Sequence, residues 1–450
     1  MNIYTALVSS VLFPVHERLK RHDSVSMRQR LEMAQWLSTE QIMAAQAERL
    51  RGFLTDVGRH VSYYRELFQD VGFDPSRVSA VTDLQDLPFL TKTLIRTHTD
   101  ALKRDSVGPL ARYNTGGSSG EPLIFFIGKE RVSHDVAAKW RATRWWGVDI
   151  GDPELVVWGS PIELGKQDFV KMLRDKVLRT SLISAFEMSE VKLDQFVEAI
   201  RFGRPKVLFG YPSALAHIAR HAQKKGKTMD KLGIKVAFVT SERLYDDQRA
   251  IISKVFGCPV ANGYGGRDAG FIAHECPMGS LHISAEDIVV ETVLPDGTAA
   301  PDGESGEIVV THMATRDFPF IRYRTGDRGV LGTAPCGCGR GLPVLREVQG
   351  RSTDFIVAAD GTVLHGLALI YPVRDQPSVE KFQIEQVSVE LTIVRLVVND
   401  NYDAAVGASI VRDFRARLGS AVEIRLDLVQ DIAPASSGKY RYVMSRVEAF

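Results

Sequence analysis

Three groups of residues in this chain have the types and spacing that chemistry needs. The first is the run Tyr113-Asn-Thr-Gly-Gly-Ser-Ser-Gly-Glu-Pro-Leu123, in which Thr115, Gly116, Gly117, Ser118, Ser119 and Gly120 are contiguous. Such a run folds tightly and can aim several N–H groups and hydroxyls at one anion. The following Leu123–Ile127 stretch is β-prone. The run therefore sits between or before strands and does not open a helix. It also lacks the Gly-Lys-Ser/Thr ending of a P-loop, so that class of phosphate site is excluded. The competing reading is an ordinary flexible loop. The second group is Cys276, His282, Cys336 and Cys338. Three thiols and one imidazole are a tetrahedral zinc set, and with all four positions filled the site would be structural. Three unrelated reduced cysteines and a turn histidine are the alternative. The third is Lys439 in Ser436-Ser-Gly-Lys-Tyr-Arg, a flexible loop near the C-terminus, where a lysine is usually a solvated surface charge.

Alternating elements position the middle of the chain. Val207-Leu-Phe reads as a short strand, and Pro212 starts a helix that runs to Lys225 and stops at Gly226. Val236-Ala-Phe-Val is the next strand, Asp246–Phe256 a helix ended by Gly257, and Pro259–Asn262 a third strand. Strands and helices at this spacing predict a doubly wound parallel sheet. Ligands on such sheets bind beyond the carboxyl ends of the strands, here Gly210-Tyr211, Ser241-Glu242 and Gly263-Tyr264. From Leu281 to Leu331 the pattern changes to strands and tight turns, with Asp296-Gly297 as a hairpin signal. Beyond Gly350 lies a smaller unit. Phe382–Val398 reads as two strands, Val406, Ile410 and Phe414 share a helix face, and Val422, Ile424, Leu426 and Leu428 alternate. Residues 26–73 read as helices, with Leu31, Trp36, Leu50 and Phe53 in the core. The fold class is thus α/β: a large N-terminal domain with doubly wound parallel sheets and a β-rich subdomain, residues 1–349, plus a small α+β C-terminal domain, residues 350–450.

Bulk composition narrows the partners. A chain of 450 residues is too long for one compact core. Its 56 basic and 55 acidic residues leave a net charge of +1, so no overall field points to nucleic acid or a membrane surface. The apolar run Ala6–Val15 is about half the ~20 residues of a membrane span. Pro14 interrupts it and no basic region precedes it, so a signal peptide is not expected. Four cysteines make no disulfide framework, and a reducing, cytoplasmic protein is expected.

The segments Tyr264-Gly-Gly-Arg-Asp268, Tyr323-Arg-Thr-Gly-Asp327, Gly350-Arg-Ser-Thr-Asp354 and Ser437-Gly-Lys439 follow the glycine-rich loop in that order. This ordered set resembles the adenylate-forming enzymes over nearly the whole chain. Ala273-His-Glu-Cys276, Leu281-His-Ile283 and Cys336-Gly-Cys-Gly-Arg340 resemble the phenylacetate–CoA ligase and CapK-like branch, as do Ala34-Gln-Trp-Leu and Tyr63-Tyr-Arg.

The resemblance implies ATP-dependent conversion of a carboxylic acid to acyl-AMP and pyrophosphate, followed by transfer to coenzyme A. Transfer to a carrier protein, AMP transfer to a cofactor hydroxyl, or a non-catalytic nucleotide-binding protein are the rival outcomes. It implies that Thr115–Gly120 clamps pyrophosphate, and that Asp327 and Arg351 contact the ribose. Ser241, Glu242, Asn262, Gly263 and Tyr264 would lie on the adenine side. Asp268 stands where the family has a magnesium-holding glutamate; being shorter, it leaves room for Glu242 to share the Mg2+. Arg267 replaces the usual small hydroxyl residue, and would touch substrate or phosphate or pair with an acid. Lys439 would bridge the carboxylate and the α-phosphate, offsetting charge that develops between two anions. The small domain would swing about residues 350–354. Tyr211, Phe238, Tyr264 and Trp158 would line a pocket that suits an aryl acid, although a packed sheet core contains the same residue types.

Overall fold

The computed structural model describes residues 2–108, 110–114, 123–158, 169–185, 187–349, 355–432 and 442–447. Thr115–Gly120, Arg351 and Lys439 lie outside these described residues.

The predicted alternation is present. Strands Glu154–Trp158, Thr180–Ser184, Val207–Gly210, Val236–Thr240 and Val260–Gly266 run parallel to one another. Helices Pro212–Lys224 and Asp246–Phe256 connect the last three. Pro212 opens its helix, where the missing N–H costs nothing. Gly257 ends the second at φ +63°, and a Cβ there would lie 2.4 Å from the Asp230 carbonyl oxygen. Both the left-handed backbone and the close approach require glycine.

The β-rich stretch is hydrogen-bonded onto the parallel strands. Strand Gly270–Glu275 turns back antiparallel on Val260–Gly266, and the parallel strands continue through it into antiparallel ones. The result is one sheet of eleven strands among the described residues. Asp296-Gly297 forms the expected tight turn, with Gly297 at φ +88° and the Leu294 N–H donating to the Thr298 carbonyl. Both faces of the sheet are buried, the usual condition of parallel strands: Val236–Thr240 is buried throughout.

At the N-terminal end, helices Ser24–Ala34, Thr39–His60 and Ser62–Asp70 pack Leu31, Leu50 and Phe53 into the core. Trp36 does not follow: it is 56 % exposed, in the turn after the first of these helices. Its ring lies beneath the Arg340 guanidinium, 4.8 Å from the centroid. A cation over the indole face accounts for an aromatic outside the core.

The smaller unit has its own core, including Ile356, Leu369, Ile384, Val394, Ile410 and Phe414. Val379–Ser388 and Leu391–Val398 form the expected antiparallel pair, flanked by parallel strands Glu423–Leu428 and Val443–Ser445. Its first hairpin, Phe355–Val357 with Val363–His365, adds to the short strand Glu187–Met188 of the larger unit. No helix of the described residues is long and apolar enough to cross a membrane.

Candidate active site and thiol cluster

The parallel strands end in register. Val157 lies opposite Gly210, Gly210 opposite Val239, and Thr240 opposite Gly263. This brings Trp158, Tyr211, Ser241 and Tyr264 to one edge of the sheet. Trp158 and Tyr211 stack there with ring centroids 4.5 Å apart and planes 23° apart. Phe238 lies deeper, fully buried, stacked with Phe209 and near His274. A Cβ on Gly263 would come within 2.8 Å of its ring, so glycine lets that strand lie flat on the phenylalanine.

Ser241 takes φ +74°, an uncommon conformation for a residue with a side chain. It turns the chain so that the next side chain, Glu242, accepts from the Ser213 hydroxyl at 2.5 Å and the Ser213 N–H at 3.4 Å. Ser213 is in the first turn of the Pro212–Lys224 helix, where a carboxylate is favoured by unpaired N–H groups and the helix dipole. Glu242 therefore fastens two strand ends together.

Two tyrosines hold the two aspartates of the motifs. The Tyr264 hydroxyl donates to Asp327 at 3.2 Å, and the Tyr323 hydroxyl donates to Asp268 at 2.6 Å. The Asp327 N–H donates to the Thr325 hydroxyl at 3.1 Å. Burial pushes the Tyr264 phenol well above its ordinary range, and the Asp327 carboxylate adds to this, so Tyr264 stays a donor at neutral pH. The second oxygen of Asp268 accepts its neighbour's N–H, from Ala269 at 3.0 Å.

Arg131 supports this turn from beneath. Its guanidinium is 2 % exposed and donates to the carbonyls of Asp268 at 3.1 Å and Arg267 at 3.2 Å. Its Nε meets both oxygens of Asp135 at 3.0 Å. Neither Arg131 nor Ser213 carried a sequence signal; Tyr323 did, standing at the head of a motif read only for its aspartate.

The glycine-rich run begins and ends beside this turn. Strands Ala111–Asn114 and Ile124–Ile127 pair antiparallel with Asn114 opposite Ile124. The run thus sits between two strands, as the sequence predicts. Arg267 donates to the Asn114 carbonyl at 3.4 Å. Burial lowers its pKa, which the neighbouring phenols of Tyr371 and Tyr113 offset in part. Tyr371 lies on helix Leu367–Arg374 of the smaller unit, so Arg267 stands between the loop hairpin and that unit.

The sulfur and imidazole side chains converge about the sheet's antiparallel half. The ligating atoms of Cys276, His282, Cys336 and Cys338 all lie within 4.8 Å of one another. Cys276 and Cys336 sulfurs are 3.7 Å apart, and Cys338 Sγ is 3.2 Å from His282 Nε2. His282 Nδ1 is 3.0 Å from the Leu342 carbonyl, which only a protonated Nδ1 can satisfy. The imidazole is then the tautomer whose Nε2 lone pair faces the sulfurs. Burial keeps this ring neutral by lowering its pKa. Burial raises the Cys276 thiol to about 11, whereas at Cys336 hydrogen bonds from Ser280 and Cys338 overcome burial and lower it. Cys258 is buried elsewhere, as expected of a small hydrophobe.

A parallel sheet carrying acids at its carboxyl edge, continued into antiparallel strands and followed by a small α+β unit, is the fold of the adenylate-forming ligases. The solved structure of 2-hydroxyisobutyryl-CoA ligase, with 2-HIB-AMP and CoA in the thioesterification state, has this fold. It covers 93% of this chain and 92% of its own at a TM-score of 0.67, with 19% identity. Residues 356–446 match the family model of the CapK C-terminal domain. The chain is 24% identical to Protein CapK of Staphylococcus aureus over 409 residues, 90% of this chain and 89% of that protein. It is 26% identical to the phenylacetate-coenzyme A ligase of Thermus thermophilus over 343 residues, 71% and 73% of the two chains. The resemblance carried by the ordered motifs is borne out by these relatives.

Proposed function

We propose that this chain is an AMP-forming acid–CoA ligase: it activates a carboxylic acid with ATP and passes the acyl group to coenzyme A. The observation that carries this reading is the convergence at one sheet edge of Asp327, Asp268 and the strand end Asn114, which precedes Thr115–Gly120 in the chain and accepts from Arg267. A nucleotide needs a diol acceptor, a hard-oxygen cation site and a cradle of N–H donors in that proximity.

In this reading Asp327, oriented by Tyr264, accepts from the ribose hydroxyls, with Arg351 beside it. Ser241, Asn262 and Gly263 flank the base. Thr115–Gly120 holds the pyrophosphate. Asp268 is shaped to hold Mg2+: Tyr323 and the Ala269 N–H fix its two oxygens and leave lone pairs on both, which is the donor chemistry that ion prefers. Bound there, the ion would neutralise phosphate charge. Glu242 accepts from Ser213 through one oxygen at the start of the Pro212–Lys224 helix, whereas Asp268 follows Arg267, which reaches Asn114 at the foot of the glycine-rich run, so Asp268 is the better placed of the two. Lys439 offsets the charge that builds as the carboxylate oxygen attacks the α-phosphorus and pyrophosphate leaves. The thiol of coenzyme A then displaces AMP. The chain has two domains, 1–349 and 350–450, and residues 350–354 are the hinge that lets Lys439 approach and withdraw.

The acid is read from the stacked Trp158–Tyr211 pair at the strand ends and from relatives named for phenylacetate: an aryl acid of that size. The four-residue cluster fits a structural Zn2+, because three thiols that a dication would deprotonate and an Nε2 lone pair lie within 4.8 Å of one another. The test is thioester formation from ATP, coenzyme A and a panel of acids. Phenylacetate and its analogues should give acyl-CoA and AMP. Asp327→Ala should raise the KM for ATP by at least tenfold with little change in the KM for the acid. A chain that forms ADP, or no thioester with any acid, contradicts the proposal.

A further inference from the structure

The N-terminal helical stretch has a face that the ligase chemistry does not use. Ile3–Leu7, Val8–Leu12 and Phe13–Leu19 are continuous, and the middle piece is a wide π-helical turn. Apolar side chains at Ile3, Leu7, Val11, Val15 and Leu19 all point to solvent, Ile3 at 88 % and Leu19 at 80 % exposure. The opposite row, Thr5, Ser9, Phe13 and Glu17, is buried. Both rows advance by four residues. An α-helix of 3.6 residues per turn would let such rows drift by about 40° at each step. The wide turn reduces that drift, and rows two residues apart lie on opposite sides of the helix at every level.

The stripe is held in place and is not a frayed end. The Thr5 hydroxyl donates to Asp152 at 2.9 Å, the Tyr4 hydroxyl to the Val177 carbonyl at 2.8 Å, and Phe13 meets Trp140 edge-on at 5.1 Å. Gly151 packs so tightly beneath that a Cβ would lie 2.6 Å from Val8. Tyr4 ties the helix to Phe169–Leu178, on which Met172 and Leu173 are also half exposed.

Exposed basic side chains outnumber acids around this face, where Asp23 is also exposed. Arg18, Lys20 and Arg21 are exposed at one end, and Lys176 is exposed on the neighbouring helix. The one acid between residues 2 and 22 is Glu17, which is buried and accepts from Ser24 at 2.5 Å. The one acid between 172 and 179, Asp175, is paired with Arg174. We propose that this face docks on the surface of a bilayer containing anionic phospholipid, with the apolar row entering the headgroup boundary and the basic rim contacting phosphates. A chain of net charge +1 needs such a local concentration of charge to bind there.

The test is co-sedimentation of the full chain with vesicles of phosphatidylcholine alone, or of phosphatidylcholine and phosphatidylglycerol in equal parts. The chain should pellet with the anionic vesicles and release at high salt. Val11→Asp with Val15→Asp should abolish pelleting, and Lys20→Gln with Arg21→Gln should weaken it by about fivefold for each charge removed. None of these positions touches the proposed nucleotide site, so ligase activity in solution should be unchanged. The proposal is overturned if the chain stays in the supernatant with both vesicles, or if either double variant pellets like the parent. It is equally overturned if the chain is a dimer that the aspartate variant splits and that ignores vesicles.

Discussion

Two buried clusters in this molecule each bring ligating side chains within 4.8 Å of one another, and they differ in charge. Cys276, His282, Cys336 and Cys338 offer three thiols that can lose protons to a dication, with an imidazole already in the accepting tautomer. His134, Asp135 and His312 offer two imidazoles and a carboxylate, but the carboxylate is claimed by Arg131. The two rings meet edge to face with centroids 4.7 Å apart. Burial, Arg131, His134 and Arg49 push His312 well below its usual pKa. A dication there would have to compete with the arginines that already hold Asp135 and, beside His134, Asp287. Donor proximity alone does not make a metal site; the sign of the surroundings decides it.

Four changes, the first with a control, would break or sharpen this contrast. The largest effect should come from Cys336→Ser with Cys338→Ser. Zinc content should fall from one per chain to none and stability by on the order of 5 kcal/mol, read by metal analysis and thermal unfolding. A parent chain that purifies without metal and has three rapidly modified thiols would remove the zinc assignment. His134→Phe, by contrast, should leave metal content unchanged. Arg131→Met comes next: it leaves half-buried Asp135 without its partner and should cost about 3 kcal/mol in urea unfolding, while also loosening the Arg267-Asp268 turn.

The third prediction is pH dependence. Burial, with Arg141 and His134 nearby, holds the His274 imidazole down to about 3. Its unfolded value is about 6.5. The unfolded chain therefore binds the proton first, and stability present above pH 6.5 is lost as pH falls toward 3. At pH 4.5 that loss should be about 3 kcal/mol. His274→Phe, whose ring can stack on Phe271 as the imidazole does, should remove this share of the acid sensitivity in urea melts. An unchanged slope would mean the imidazole is solvated. The smallest effect is Tyr323→Phe, which deletes one hydrogen bond to Asp268. It should lower adenylation by roughly tenfold, the equivalent of about 1.4 kcal/mol, without lowering the unfolding midpoint.

What the sequence disclosed and withheld divides along the range of the forces involved. Helix Asp246–Phe256 and its stop at Gly257 were legible because caps and left-handed glycines are local. So was the placing of the glycine-rich run between strands. The fusion of parallel and antiparallel strands into one sheet was not legible, because it depends on Gly270–Glu275 finding Val260–Gly266 rather than on either segment alone. Trp36 was misplaced for a similar reason, its Arg340 partner lying some three hundred residues away. At the site, aspartates and cysteines stood out by type and order. Arg131 did not, since a buried arginine in an ordinary helix looks like any surface charge until Asp135 and the carbonyls of 267 and 268 surround it. The pairing of Val363–His365 with Glu187–Met188 joins segments too short to signal themselves.

Carboxylate-dependent exchange of pyrophosphate into ATP tests the central claim most directly. The parent chain should catalyse exchange when, and only when, a suitable acid such as phenylacetate is present. Lys439→Ala should reduce it by at least about a hundredfold, the scale of one lost charge-stabilising group, while ATP still binds. Exchange that proceeds without any acid, or at the parent rate in Lys439→Ala, would contradict the account.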